Sequence, residues 1–323
     1  MPAYTTWSTL QHLRDSLKED MATEKVLQTL VDATEFENIN SELAKQSPLM
    51  MTPNTKTSLL LQSHFSRLAL PSTDYLTDTK SVLDNAPRVL QAMVDVAGES
   101  GWLGTTLRVV TLLQMCQQAR WDSDSSLLTL PHLLPQSLYV FSPPRISSLP
   151  QLLHQCGHYE DLARLLRAEL EEQEIEEVWA VMERLPRLEV SLQVNGERLN
   201  TRQPGLVKVQ QDRQTTLTVG LSRSNRPGRE GIRVHSPRFP KAKDEAWLLV
   251  VGNPQTRELL ALKRVGGVRG RVKHSLVLSP DQAGRQDCVL YVMSDCYLGL
   301  DQQFSLPLLV EPAGEEIFYS DED

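Results

Sequence analysis

The sequence predicts an α+β multidomain chain, a helical N-terminal half followed by an antiparallel β-sandwich of immunoglobulin or fibronectin type. Three observations carry that expectation. Apolar residues recur at helical spacing up to about residue 185, and beyond Pro186 they alternate with polar ones. The charge balance changes at the same place: residues 1–185 hold 14 basic and 24 acidic side chains, residues 186–310 hold 19 and 11. Within the helical half a Pro- and Ser-rich connector, 131–150, sets a bundle apart from the short helices that follow, as expected between units.

Taken in order, residues 4–36 read as helices, with Leu10, Leu13 and Leu17, then Val26, Leu27, Leu30 and Val31, on one face. Thr23 is the expected N-cap of the second. A polar stretch, Gln46–Pro53, precedes a helix over Thr55–Ala69 that Pro71 stops. Thr77–Ala97 is the longest amphipathic segment. Its polar stripe is Asp84, Arg88, Gln91 and Asp95, and Val82, Leu83, Val89, Leu90, Met93, Val94 and Ala97 face the other way. Pro87 lies within it and is expected to kink or break it, since proline lacks the amide and costs ~3 kcal/mol in a helix interior. Thr105–Arg120, Leu149–Gln155, Tyr159–Glu172 and Ile175–Arg184 complete the helices. Seven strand-like runs follow: LEVSLQV, TTLTVGL, AWLLVVG, ELLALKRV, HSLVLSP, CVLYVMS and FSLPLLV. The expected divisions are 1–130, 131–185, 186–312 and an acidic, disordered tail at 313–323.

Several function classes find no support. No apolar run approaches the ~18 residues of a membrane helix, and the N-terminus lacks the basic and apolar regions of a secretory signal. The chain is therefore expected on the nuclear or cytosolic side. The four cysteines form no CxxC pair, which fits a reduced compartment. No GxxxxGK[ST] loop is present to cradle phosphates. The cluster Gly266–Gly267–Val268–Arg269–Gly270 reads as a hairpin turn between strand runs. Asp244–Glu245–Ala246–Trp247 looks like a helicase acidic box but has no P-loop upstream to serve. His154, Cys156 and His158 do not share one helix face and lack a fourth ligand, so no metal is expected, and no cofactor or catalytic residue is assigned. Two basic clusters remain, Arg223, Arg226, Arg229 and Arg233 extended by Arg238, Lys241 and Lys243, and Lys263, Arg264, Arg269, Arg271 and Lys273. They read either as a phosphate-neutralising surface or as a solvated surface balancing the acidic helical half.

Other residues carry a family resemblance. Asn40–Lys45, Thr55–Lys56–Thr57, His64–Phe65–Ser66–Arg67, Asp74–Tyr75, Thr77–Lys80, Gly101–Trp102–Leu103, Arg120–Trp121, Asp124–Leu128, Pro237–Arg238–Phe239–Pro240, Lys243–Asp244–Glu245 and above all Met293-Ser-Asp-Cys-Tyr-Leu-Gly-Leu-Asp-Gln-Gln303 resemble the C-terminal Sec-sixty-three homology unit of Ski-two-like helicases. The similarity is nearest to the branch serving the activating signal cointegrator complex and covers essentially the whole chain. It implies a helical bundle, a helix-loop-helix and a fibronectin-like sandwich. It also implies that Thr77–Ala97 is a ratchet-like helix presenting Asp84, Arg88, Gln91 and Asp95 to a nucleic-acid strand. The expected role is a non-catalytic accessory module of an ATP-dependent helicase, with protein partners in a helicase complex, weak single-stranded DNA or RNA binding, and no membrane. The chain begins in mid-bundle, as a fragment or shortened product would, and is shorter after Asn38 than its relatives. The alternative is a stand-alone scaffold or a relative of translocation-channel subunits with no nucleic-acid role, although their transmembrane helices and His-Pro-Asp motif have no counterpart here. An unrelated enzyme would need converging acid and base groups, and the sequence singles out none.

Overall fold

The computed structural model describes residues 5–37, 39, 52–225 and 231–312. The expectations for the loop after Asn38, for Arg226 and Arg229 and for the tail at 313–323 lie outside the described residues.

Eight α-helices are described: α1 Trp7–Ser16, α2 Thr23–Val31, α3 Pro53–Phe65, α4 Thr73–Glu99, α5 Leu103–Gln118, α6 Leu149–Gln155, α7 Tyr159–Leu166 and α8 Glu172–Arg184. Local chemistry sets their ends. Thr52 accepts a bond from the Thr55 amide and places Pro53, which needs no partner for its nitrogen, in the first turn of α3. That helix stops at Phe65, short of the expected Ala69, where Arg67 turns left-handed at φ 53°. Ala22 rather than Thr23 occupies the cap position of α2. The segment read as one helix over Tyr159–Glu172 divides, because Glu171 and Glu174 form a reciprocal capping box that starts α8.

The main correction concerns Pro87. Helix α4 runs unbroken for 27 residues with Pro87 inside it. Val82, Leu83, Ala86, Val89, Leu90 and Met93 flank the proline and are all buried. Burial of large apolar side chains at roughly 1.5–3 kcal/mol each outweighs the ~3 kcal/mol helix penalty.

Nine strands follow: β1 Leu188–Val194, β2 Glu197–Leu199, β3 Val207–Gln210, β4 Thr215–Arg223, β5 Trp247–Asn253, β6 Glu258–Val265, β7 Arg271–Leu278, β8 Gly284–Ser294 and β9 Gln302–Glu311. They form a four-stranded sheet, β2-β1-β4-β7, and a five-stranded sheet, β3-β9-β8-β5-β6. The two strands not expected, β2 and β3, are three and four residues long, too short to show alternation. The Gly266–Gly270 turn is not a hairpin. It joins β6 of one sheet to β7 of the other.

The molecule is layered. Trp247, Leu249 and Val251 of β5 point into the core shared by the two sheets, together with Leu217, Val219, Leu221, Leu290 and Leu306. Leu248 and Val250, the alternate residues, enter a second core with Val89, Met93, Val109 and Leu113 of the bundle. The five-stranded sheet is thus covered on both faces, which is why β5 is buried at all seven positions. Apolar residues of α6, α7 and α8 belong to the sandwich core. The outer face of the four-stranded sheet meets solvent.

Candidate nucleic-acid interface

Helix α4 packs beside β6, and this places its polar stripe against the sandwich. Asp84 pairs with Lys241 at 3.0 Å. Asp95 pairs with Arg264, whose guanidinium also donates to the Gln91 carbonyl at 3.0 Å. Arg88 is exposed and donates to Asn85, one turn earlier. Both acids of the stripe are therefore neutralised by cations of the sandwich. Each pair is partly exposed and contributes no more than about 1 kcal/mol. The arrangement does remove the carboxylate repulsion that would oppose a phosphate near Arg88 and Gln91.

The basic clusters divide more sharply. Arg223 is not on a surface. It is fully buried and donates from Nη1 to both carboxylate oxygens of Glu245, at 3.0 and 2.8 Å, and from Nη2 to the Arg184 carbonyl at 2.6 Å. An arginine at the end of a strand that enters the core is removed from any phosphate patch, and Glu245 of the acidic-box look-alike is its counter-ion. Burial pushes the Glu245 carboxyl up to about 7 against the pull of Arg223. Arg233 lies 3.9 Å from Asp244, and Lys263 donates to the Ser275 carbonyl at 2.9 Å. Arg269 and Arg271 remain exposed without a carboxylate partner among the described residues. Phe239, which falls in sequence between Arg238 and Lys241 of the first cluster, packs against the bundle core.

The stretch 293–303, the most specific sequence signal, forms a joint between the two halves. Ser294 Oγ accepts from the amides of Cys296 and Tyr297, closing a tight turn after β8. Asp301 accepts from the Ser294 amide at 2.7 Å. Gln114, buried on α5, donates to the Ser294 carbonyl at 2.6 Å and to Asp301 at 3.0 Å. One turn on, Gln118 donates to the carbonyls of Cys296 and His235, while Gln117 donates to Ser236 Oγ. Lys243 closes the other side on Asp295 at 2.5 Å. Gly299 has φ 85°, and a Cβ there would stand 2.5 Å from that of Ser126, so the turn admits no side chain. Burial raises the Asp301 carboxyl to about 6 and lifts the Cys296 thiol and Tyr297 phenol well above their usual range. Thiols so displaced are poor nucleophiles at neutral pH, and the cluster is a structural lock. Its sequence signal was visible; its partners, the buried Gln114 and Gln118 on a helix about 180 residues away, carried none.

The expected ratchet stripe and the second basic cluster, taken as separate from sequence, thus meet along α4 and β6. No helix among the described residues is long and apolar enough to cross a membrane.

The chain is similar to known proteins along nearly its whole length. It is 38% identical to activating signal cointegrator 1 complex subunit 3 of Bos taurus and of Homo sapiens, over 96% of this chain and 16% of each relative. It is 34% identical to the DExH-box ATP-dependent RNA helicase DExH14 of Arabidopsis thaliana, over 95% of this chain and 14% of the relative. The chain therefore spans about a sixth of the length of these curated relatives. The Sec63 Brl domain profile matches residues 4–307. The chain belongs to the Sec63 Brl domain family.

Proposed function

We propose that this chain is a non-catalytic accessory module of an ATP-dependent nucleic-acid helicase, guiding a single strand and docking protein partners of a helicase complex. The family match over residues 4–307, to relatives that include a named RNA helicase, carries this reading. The unbroken α4 supports it, since a guide needs a rigid rod, and the ion pairs to Lys241 and Arg264 fix that rod against the sandwich. On this reading Arg88 and Gln91 face the strand while Asp84 and Asp95 hold the helix in place. We further propose that the sandwich is immunoglobulin-like. The neighbours β1-β4-β7 and β9-β8-β5 follow the A-B-E and G-F-C orders of that fold. Residence is nuclear or cytosolic.

Fluorescence anisotropy with 20-nucleotide RNA and DNA strands, from 25 to 200 mM salt, tests the reading. Expected are weak binding that falls steeply with salt and no ATP turnover with or without the strand. A second reading, a docking scaffold with no nucleic-acid role, is favoured by one observation: four of the charges on the α4–sandwich contact are consumed by one another. Undetectable binding at the lowest salt selects it.

A further inference from the structure

The four-stranded sheet turns its outer face to solvent on the side of the molecule opposite the bundle. In the registers β1–β4 and β4–β7, Glu189, Ser222 and Arg271 form one cross-strand row, and Ser191, Gly220 and Lys273 the next. Arg198, on the edge strand β2, pairs with Gln193 of β1. Cations thus stand on both edges of the sheet, while its two central strands carry Glu189, Ser191 and Gln193 on β1 and Gly220 and Ser222 on β4. A Cβ at Gly220 would lie 2.4 Å from Ser191 Oγ, so glycine keeps the floor low there. The result is a depression of about 430 Å³ bounded by Arg198, Arg271 and Lys273, all exposed and without an ion pair among the described residues. Its one carboxylate, Glu189, sits two strands from Arg271, about 10 Å away at ordinary strand spacing.

We infer that this trough binds the sugar-phosphate backbone of a single nucleic-acid strand, as a contact separate from α4. The inference rests on the nucleic-acid reading above and adds a second, remote site to it. Four strands make a sheet about 14 Å across, wide enough for one backbone between the cationic edges. Arg198 and Arg271 bring planar forks suited to phosphate oxygens. Ser191 and Ser222 bring hydroxyls that donate to phosphate or sugar. Among the described residues no aromatic ring lines the floor, so bases find nothing there to stack on and the contact is indifferent to sequence. The one apolar residue of the lining, the half-buried Val190, offers little anchor, which disfavours an acidic peptide as the occupant.

The test uses the full chain, a 20-nucleotide oligouridylate and the triple variant Arg198→Gln, Arg271→Gln, Lys273→Gln. A control triple, Lys25→Gln, Arg145→Gln, Arg164→Gln, removes the same charge elsewhere. The three trough positions are exposed, and an unchanged melting temperature verifies folding. Each lost phosphate contact lowers the salt slope by about 0.7 for a single strand, so the trough variant should lose about 2 units of slope and at least tenfold in affinity at low salt. The control should lose far less. If the wild-type chain binds oligouridylate and the trough variant binds equally well, the trough assignment is wrong and the nucleic-acid reading survives. If the wild-type chain does not bind at all, both fall. If polyglutamate displaces oligouridylate equally at matched charge, the trough is an acidic-peptide surface and the assignment is overturned.

Discussion

At Asp301 a half-buried carboxyl is held under Gln114 and the Ser294 amide, and burial outweighs those bonds to raise it to about 6. Its unfolded value is 3.8. The folded state therefore binds the proton more tightly than the unfolded chain does. Stability from this group is fully present below about pH 4 and is lost as pH rises through about 6. The variant Asp301→Asn cannot titrate. Its stability relative to the wild type should rise between pH 4 and 6 by on the order of 1–3 kcal/mol and stay level above pH 7. Denaturant midpoints across that range check this, and a pH-independent difference would contradict it. Glu245, raised to about 7, remains in both proteins and cancels in the comparison. The pair that Glu245 makes with Arg223 has its own test. Glu245→Ala leaves a guanidinium buried and unpaired, at an expected cost of about 3–5 kcal/mol. Replacing both, Arg223→Met with Glu245→Leu, should recover most of that loss; additive losses in the double variant would show that the pair is no isolated unit. Neither residue's role was legible in the sequence. Arg223 stood among other basic residues and Glu245 in a familiar acidic box, and a pairing across 22 positions leaves no local trace.

Among the elements, α4 shows where local rules end. The amphipathic stripe was readable because its period is 3.6 and its apolar face is wide. Continuity through Pro87 was not, because the penalty is a property of the residue while the compensation comes from neighbouring helices and the sheet. The missing amide leaves the Leu83 carbonyl without its usual intrahelical partner. Pro87→Ala should therefore stabilise the chain by about 1–3 kcal/mol, read as a higher denaturant midpoint at unchanged slope. A lower midpoint would mean that the half-buried ring contributes more by packing than it costs in bonding. The strands divide in the same way. The seven longer runs advertised themselves as strands, but β2 and β3, three and four residues long, are too short for a pattern. Whether β6 and β7 pair or change sheets was likewise hidden, because both outcomes use the same glycine-rich turn.

On the scale of the whole molecule, the sequence suggested a chain of modules with a boundary at Pro186, and the layering argues for stronger coupling. Leu248, Val250, Met293 and Leu298 of the sheet-bearing half are buried in the core of the bundle. At roughly 1.5–3 kcal/mol each, these four side chains alone represent about 6–12 kcal/mol of burial between the halves. That is comparable to the total stability of an ordinary domain, about 5–15 kcal/mol. Polar contacts reinforce the same boundary. Gln114, Gln117 and Gln118 reach from α5 to the sandwich, and the backbone of Gly101 and Leu103 bonds to that of Leu259 and Arg257. When the bundle melts, the glutamine partners lose their donors and the sheet face is exposed to water. The sandwich cannot then remain native without a large penalty. The expected outcome is one cooperative transition for the full chain, with calorimetric and van 't Hoff enthalpies in agreement. The fragment 186–312, expressed alone, should aggregate, because one face of its five-stranded sheet becomes an exposed apolar patch. Gln118→Ala should lower the single midpoint rather than split it, since the apolar contact still couples the halves. Two resolved heat-absorption peaks, or a monomeric and folded fragment 186–312, would show that the contact between the halves is weak and that the rigid mounting of α4 on the sandwich has to be abandoned.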